Sequence, residues 1–291
     1  VLYENIKSKL KVPNYDNSAM DGYALNINDL NKTKIFSVAG SSLAGSPFKK
    51  NIKKNECVKI MTGAVLPKNC NIVIMKEEVT LIKKNLVKIN SDKVKKFQNI
   101  RFSGEDIKPN KLLLKKFHII NSSSMGLLAS QGINKIKVFK KPKVSFFTSG
   151  DEVVAINKKL AYGKVHDSNR FTLTGMLAKN NIDVLDLGHA KDSIKDIKKK
   201  FSTAVKESDI VISTGGVSVG DADYIKDVVK SLGDINFWKV AVKPGRPLAF
   251  GKIKDTIFFG LPGNPVSVMI TFLLFVLPSI YELSGKVHEL V

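Results

Sequence analysis

Cysteine is scarce in this 291-residue chain, acids are outnumbered, and no long apolar run is present. The two cysteines, Cys57 and Cys70, make neither a disulfide framework nor a metal-binding spacing. They read as free thiols in a reducing compartment, so the expected location is cytoplasmic. The longest apolar run is Val268 to Leu277, followed at once by Pro278. A membrane span needs roughly twenty apolar residues, so this run is expected to be a buried helix. No cationic-then-apolar leader opens the sequence, and the first residue is Val rather than Met. The expectation is therefore a trimmed or partial chain. Acids number 26 against 47 lysines and arginines, a formal charge of +21. Such a balance is compatible with binding nucleic-acid backbones. The lysines are scattered, however, and runs such as Lys198-Lys199-Lys200 fall on the polar side of amphipathic stretches. The expectation is no nucleic-acid partner and no membrane, with an attraction for small anions.

Hydrophobic residues make up 43% of the chain, enough to exclude wholesale disorder, and the length suits two or three domains. From Val144 onward, apolar runs of strand length alternate with segments of helical period. Val144–Phe147, Asp183–Leu187, Asp209–Ser213, Phe237–Val242, Leu248–Ile253 and Thr256–Leu261 read as strands. Helices are expected from about Ser168, over Ile194–Val205, from Ile225 to Leu232, and after the cap Asn264. This alternation predicts an α/β fold, a three-layer domain with a mainly parallel sheet, over residues 142–291. Residues 14–105 carry short strand-like runs such as Cys57–Met61 and Ile72–Met75, which predicts a smaller β-rich domain. Residues 1–13 and 106–141, including a helical stretch at Ser124–Gln131, are expected to form a helical linker region.

In open parallel sheets, ligands bind beyond the carboxyl ends of the strands. The loop Thr214-Gly215-Gly216-Val217-Ser218-Val219-Gly220-Asp221-Ala222-Asp223 follows such a strand and opens a helix. Gly215, Gly216 and Gly220 let backbone amides approach an anion, and Thr214 and Ser218 add hydroxyls. It matches neither a Walker loop nor a dinucleotide fingerprint. A tight strand–helix turn, with Asp221 and Asp223 as helix-start residues, is the alternative. Two acids beside a phosphate imply a cation between them, so Asp223 and Asp192 are candidate Mg²⁺ ligands. Asp192 has the alternative of capping the next helix.

On the same rim, Thr148, Ser149 and Gly150 could bind phosphate, and Glu152 could act as a base or position water. A plain surface turn remains open for that segment. Lys239, Lys243 and Arg246 are expected as an anion site, the two lysines sharing one face of an extended strand. A solvated basic edge is the other possibility. Pro262, Asn264, Pro265 and Ser267 open the last helix, whose N-terminus offers another oxyanion position unless capping alone explains it. In the first half, Asp21-Gly22 reads alone as a hairpin turn. Thr62, Arg101 and Asp106 carry no distinct signal of their own.

Taken in order, SAMDGYA, MTGA, RFSGEDIK, TSGDE, HDSNR, STGGVSVGDADY, FWKVAVKPGRP and GLPGNPVS are far more specific than any one segment. The chain resembles the molybdopterin molybdenumtransferase family, bacterial enzymes related to the gephyrin E domain. The resemblance covers nearly the whole chain. It implies adenylylated molybdopterin and molybdate as substrates, Mg²⁺ as cofactor, and release of AMP. It also implies a homodimer whose active site joins the α/β domain of one subunit to the β-rich domain of the other. By motif it assigns function to Asp21, Thr62, Arg101, Asp106, Glu152, Asp192, Asp223, Lys239 and Lys243. Arg246 and Ser267 fall near the expected molybdate position. Three departures stand out. Thr148-Ser149-Gly150 replaces the usual Ser-Thr-Gly, and Arg246 stands where Lys is common. The chain also stops shortly after Ser284-Gly285, short of the family's C-terminal β-rich domain, so a fragment or reduced member is expected. Two other readings are molybdopterin adenylyltransferase, which lacks the SAMDGYA and SGED segments, and a non-catalytic scaffold.

Overall fold

A computed structural model describes residues 1–216 and 224–286, with the backbone alone for 235–239. Contacts divide the chain into two compact units. One comprises Asn5–Lys116 with Asn121–Lys135, the other Val1–Glu4, Phe117–Ile120 and Ile136–Val291.

The first unit is built on six strands: β1 Gly22–Leu25, β2 Ile35–Ser42, β3 Glu56–Ile60, β4 Ile72–Met75, β5 Val79–Lys83 and β6 Leu86–Ile89. They form a mixed sheet in the order β4-β1-β3-β2-β6-β5, in which only β2 and β3 run parallel. The period of two sends Val58, Ile60 and Val73 to one core and Cys57, Ile72 and Ile74 to another, so both faces are covered. Cys57 and Cys70 are both free and buried.

Residues 1–13 are extended rather than helical. Ile6–Lys7 pairs with Leu112–Leu114, Val12 N donates to Ile107 O, and Gln131 Oε1 accepts the amides of Lys9 and Leu10. Of the segments expected as a helical linker, one forms a helix, α1 Ser122–Ser130, capped reciprocally by Asn121 and Ser124. The Asp21-Gly22 pair does not turn a hairpin. Asn17–Ser18 pairs with Ile100–Arg101, whereas β1 pairs with β3 and β4.

The second unit has strands β7 Lys143–Ser149, β8 Asp183–Ala190, β9 Ile210–Thr214, β10 Asp234–Lys239, β11 Pro247–Ile253 and β12 Thr256–Leu261. The sheet order is β8-β7-β9-β12-β11-β10, parallel from β8 to β12 and antiparallel beyond. Its helices are α2 Ser168–Lys179, α3 Ile194–Glu207, α4 Tyr224–Leu232, α5 Pro265–Thr271 and α6 Leu277–Leu283. Alternate strand residues separate two cores. Phe146, Ile212 and Phe259 pack with α2, α5 and α6, while Phe147, Val211 and Phe258 pack with α3 and α4. The three expected layers are present.

Two details depart from expectation. The last helical segment does not end at Pro278, because a π turn at Phe272–Val276 precedes it and places the proline in the first turn of α6. Pro265–Leu283 is thus long and apolar enough to cross a membrane by length and composition. Its Val268, Phe272, Val276 and Ile280 nevertheless pack into the sheet core. The expected Phe237–Val242 strand instead runs from Asp234 to Lys239. Lys243 therefore lies off the strand, in a loop closed by Val240 N donating to Arg246 O and containing a cis Lys243–Pro244 bond.

Candidate functional site

In the β-rich unit, the amide and the hydroxyl of Thr62 both donate to Asp21 Oδ1, each at 2.8 Å. Those two donors, aided by the Lys76 charge, hold the Asp21 carboxyl below its ordinary value. Gly22 must follow Asp21 because a Cβ there would meet Ile74 O at 1.9 Å, where β1 runs beside β4. Arg101 Nε lies 2.5 Å from Glu105 Oε1, and its Nη2 lies 2.7 Å from Asp106 Oδ2. These two acids push the guanidinium value up. The segment from Asn17 to Gly22 links both pairs: Asn17 is paired with Arg101, and Gly63 N donates to Ser18 O. Glu105 was not singled out in the sequence, although its i,i+4 spacing from Arg101 was visible there.

In the α/β unit, four loops leave the carboxyl ends of neighbouring parallel strands. They are Thr148–Glu152 after β7, the loop holding Asp192 after β8, Thr214–Gly216 after β9, and Leu261–Ser267 after β12. Gly215 has φ +83°, and its amide donates to Leu261 O at 3.2 Å. The Gly215 amide is therefore already committed within the scaffold. Ser218, Gly220 and Asp223 lie outside the described residues, and so does the side chain of Lys239.

Several rim residues hold the loops together instead of facing outward. The Thr148 hydroxyl donates to Asp167 Oδ2 at 2.5 Å and lies 3.4 Å from His189 Nδ1. Ser149 Oγ donates to Thr214 O at 3.3 Å. Both residues are buried, so their expected role as phosphate donors is replaced by one inside the scaffold. Glu152 is exposed, its carboxylate folded over Gly150. Asp192 does not cap α3, since Ser193 does. Asp192 Oδ2 accepts the Asp151 amide, and Asp151 Oδ1 accepts the Asp192 amide, which ties the β7 and β8 loops together.

The α5 N-terminus is not free either. Asn264 Oδ1 accepts the amides of Val266 and Ser267, with Pro265 in the first turn. Gly245, between Lys243 and Arg246, packs against Thr271 and the Ser267 carbonyl, so the basic loop lies beside α5. Lys243 and Arg246 are exposed, and among the described residues neither forms an ion pair. Pro262 precedes Gly263, whose carbonyl accepts Asn169 Nδ2 at 2.8 Å.

Known proteins show the same organisation. Residues 1–132 match the model of the MoeA N-terminal region (domain I and II), and residues 146–282 match the probable molybdopterin binding domain. A molybdopterin molybdenumtransferase of Haemophilus influenzae is 44% identical over 283 residues, covering 97% of this chain and 70% of the relative. The chain belongs to the molybdopterin molybdenumtransferase family. Gephyrin of Dictyostelium discoideum is 33% identical, with 98% of this chain and 45% of gephyrin covered. The crystal structure of the molybdopterin biosynthesis moea protein from Pyrococcus horikosii superposes with a TM-score of 0.86 at 32% identity, covering 98% of this chain and 73% of that one. As a molybdenumtransferase family member, this chain joins a β-rich N-terminal region to an α/β domain, the arrangement expected from its sequence. The residues that escaped notice there, Asp151, Asp167, Asn169 and His189, act through contacts between distant segments.

Proposed function

We propose that this chain inserts molybdenum into molybdopterin, taking adenylylated molybdopterin and molybdate and releasing AMP. The observation that carries the reading is the four-loop rim on β8-β7-β9-β12 in a chain 44% identical to a molybdopterin molybdenumtransferase. The exposed cations Lys243 and Arg246, beside α5 and without an ion pair among the described residues, suit a tetrahedral oxyanion such as molybdate. The glycine-rich composition of the loop after Thr214 suits the phosphate groups of the pterin substrate. Exposed Glu152, on the same rim, would accept a proton from an attacking water as AMP leaves. The two dithiolene thiols would then bind molybdenum in place of one molybdate oxygen, which leaves as water with the two thiol protons.

Mg²⁺ fits this donor set. Among the described residues no three acidic, His or Cys side chains gather, so a fully protein-made cage is excluded for them. Mg²⁺ binds through one or two carboxylates plus substrate phosphate oxygens, and Asp192 would hold it together with Asp223, which lies outside the described residues. When bound it would neutralise the phosphoanhydride charge. The same proposal includes a homodimer, in which Asp21, Thr62, Arg101 and Asp106 serve the α/β unit of a partner subunit. Two free, buried cysteines support a reducing, cytoplasmic setting. The test is incubation with adenylylated molybdopterin, with and without molybdate. Molybdate-dependent AMP release is the expected result. Adenylylation of free molybdopterin from ATP, with no such release, would overturn the reading.

A further inference from the structure

Asp167 and Asn169, at the start of α2, each reach out to a different loop of the rim. Asp167 is 5% exposed and caps α2 by accepting Arg170 N at Oδ1. Capping needs only that oxygen. The other, Oδ2, accepts the Thr148 hydroxyl at 2.5 Å, where β7 gives way to the loop carrying Glu152. The Asp167 amide donates to Val154 O at 2.9 Å, just past the end of the same loop. Between these points, Val153–Val154 pairs with Val165–His166, and Val165 N donates to Glu152 O. One residue thus grips the Ser149–Val153 segment at both ends. Two positions on, Asn169 Nδ2 donates to the Gly263 carbonyl, in the loop that opens α5.

We propose that Asp167 and Asn169 form a bracket that sets the Glu152 loop and the Pro262–Ser267 loop at a fixed spacing along the rim. Both act through other residues of the rim and are positioning residues. The importance of that spacing for turnover rests on the function proposed above, whereas the bracket itself does not. The groups facing Asp167 are Thr148, with His189 beyond it, and Arg170, whose guanidinium is taken by Asp186 at 2.7 Å. Among the described residues the carboxylate therefore has no ion-pair partner of its own, and its hold on the rim is through hydrogen bonds.

The discriminating variant is Asp167→Ser. Serine caps a helix about as well as aspartate, yet is too short to bond Thr148 as well. Amide hydrogen exchange on the whole chain is the primary readout. Losing a charge-assisted hydrogen bond should speed exchange across residues 150–153 by about tenfold. Exchange in β9, Ile210–Thr214, should not change. Asn169→Ala should speed exchange at Val266 and Ser267, whose amides are bonded to Asn264, and leave 150–153 alone. Thr148→Val should reproduce the Asp167→Ser pattern, and Thr148→Ser should restore protection.

Turnover is the second readout. Asp167→Ser should lower kcat by up to about a hundredfold while KM for the pterin substrate changes little, because a misplaced loop costs alignment more than affinity. Unchanged loop exchange, or faster exchange spread over the whole α/β unit, would overturn the bracket. A wild-type protein lacking molybdenum insertion would instead refute the proposed function, and the exchange data would still decide the bracket.

Discussion

Replacing Gly215 with alanine tests the packing at the centre of the rim. The residue has φ +83°, a left-handed conformation that costs a residue with a Cβ about 1–2 kcal/mol. Its new Cβ would sit 2.5 Å from the Ser149 carbonyl oxygen and 3.2 Å from Ser149 Oγ. Ordinary contact begins near 3.4 Å, so one backbone must move. Neither has slack, because Thr148 is in register with Thr214 and the Gly215 amide is bonded to Leu261 O. Overpacking of this kind adds about 1–3 kcal/mol. Gly163→Ala supplies the control, with φ +75° and open space around the new atom. Each kcal/mol lowers Tm by roughly 2–4 °C in a unit of this size. The control should therefore lose about 2–8 °C and Gly215→Ala roughly twice that. A shift of the Ser149–Gly150 backbone toward 1 Å should also cut turnover by about a hundredfold, and the control should keep its turnover. Calorimetry and molybdate-dependent AMP release measure both quantities. Equal Tm losses, with turnover intact in both variants, would refute the close-approach argument.

The Asp21 carboxyl is depressed by two Thr62 donors, so it should stay ionised to lower pH than a free aspartate. Its stabilising contribution is then complete above the ordinary carboxylate value and is lost as pH falls through the depressed one. In Thr62→Val its titration, followed by carboxyl NMR, should move upward; an unmoved titration would count against the pair. Burial pushes the thiols of Cys57 and Cys70 up to about 12. A thiol reagent at neutral pH should therefore label neither until the β-rich unit unfolds, and rapid labelling of the native chain would contradict their placement. If active sites are shared between subunits, mixing inactive Asp21→Asn and Glu152→Gln chains should restore about a quarter of wild-type activity through hybrid dimers. No recovery after verified subunit exchange would oppose a shared site.

The α/β unit was legible because its central strands, β7, β9 and β12, are buried on both faces and spell out continuous apolar runs. Asp183 and Thr256 begin strands at the expected positions, and Ser168 begins α2 immediately after its Asp167 cap. The edge of the sheet was harder to read. Periodicity carried an extended strand through Lys243, but the loop closed by Val240 and Arg246 begins just after Lys239. Residues 1–13 were misread for a related reason, since their partners lie about a hundred residues away at 107–114. Local pattern cannot report such pairing.

The same distinction separates the site residues that motif reading located from those it missed. Exposed residues such as Lys243 and Glu152 stand in loops whose positions follow from the strand order. Thr148 and Ser149 occupy the expected rim, but burial turns their hydroxyls toward Asp167 and the Thr214 carbonyl. Hydroxyl residues after a parallel strand therefore locate a rim without revealing which way each hydroxyl faces. That direction depends on the element packed behind the loop, here the first turn of α2. Asp167 satisfied every local requirement of a helix cap, which hid the use of its second carboxylate oxygen 19 residues upstream. A capping carboxylate that is 5% exposed is the observable sign of such double use, since one bond to an amide would leave its other oxygen buried without a partner.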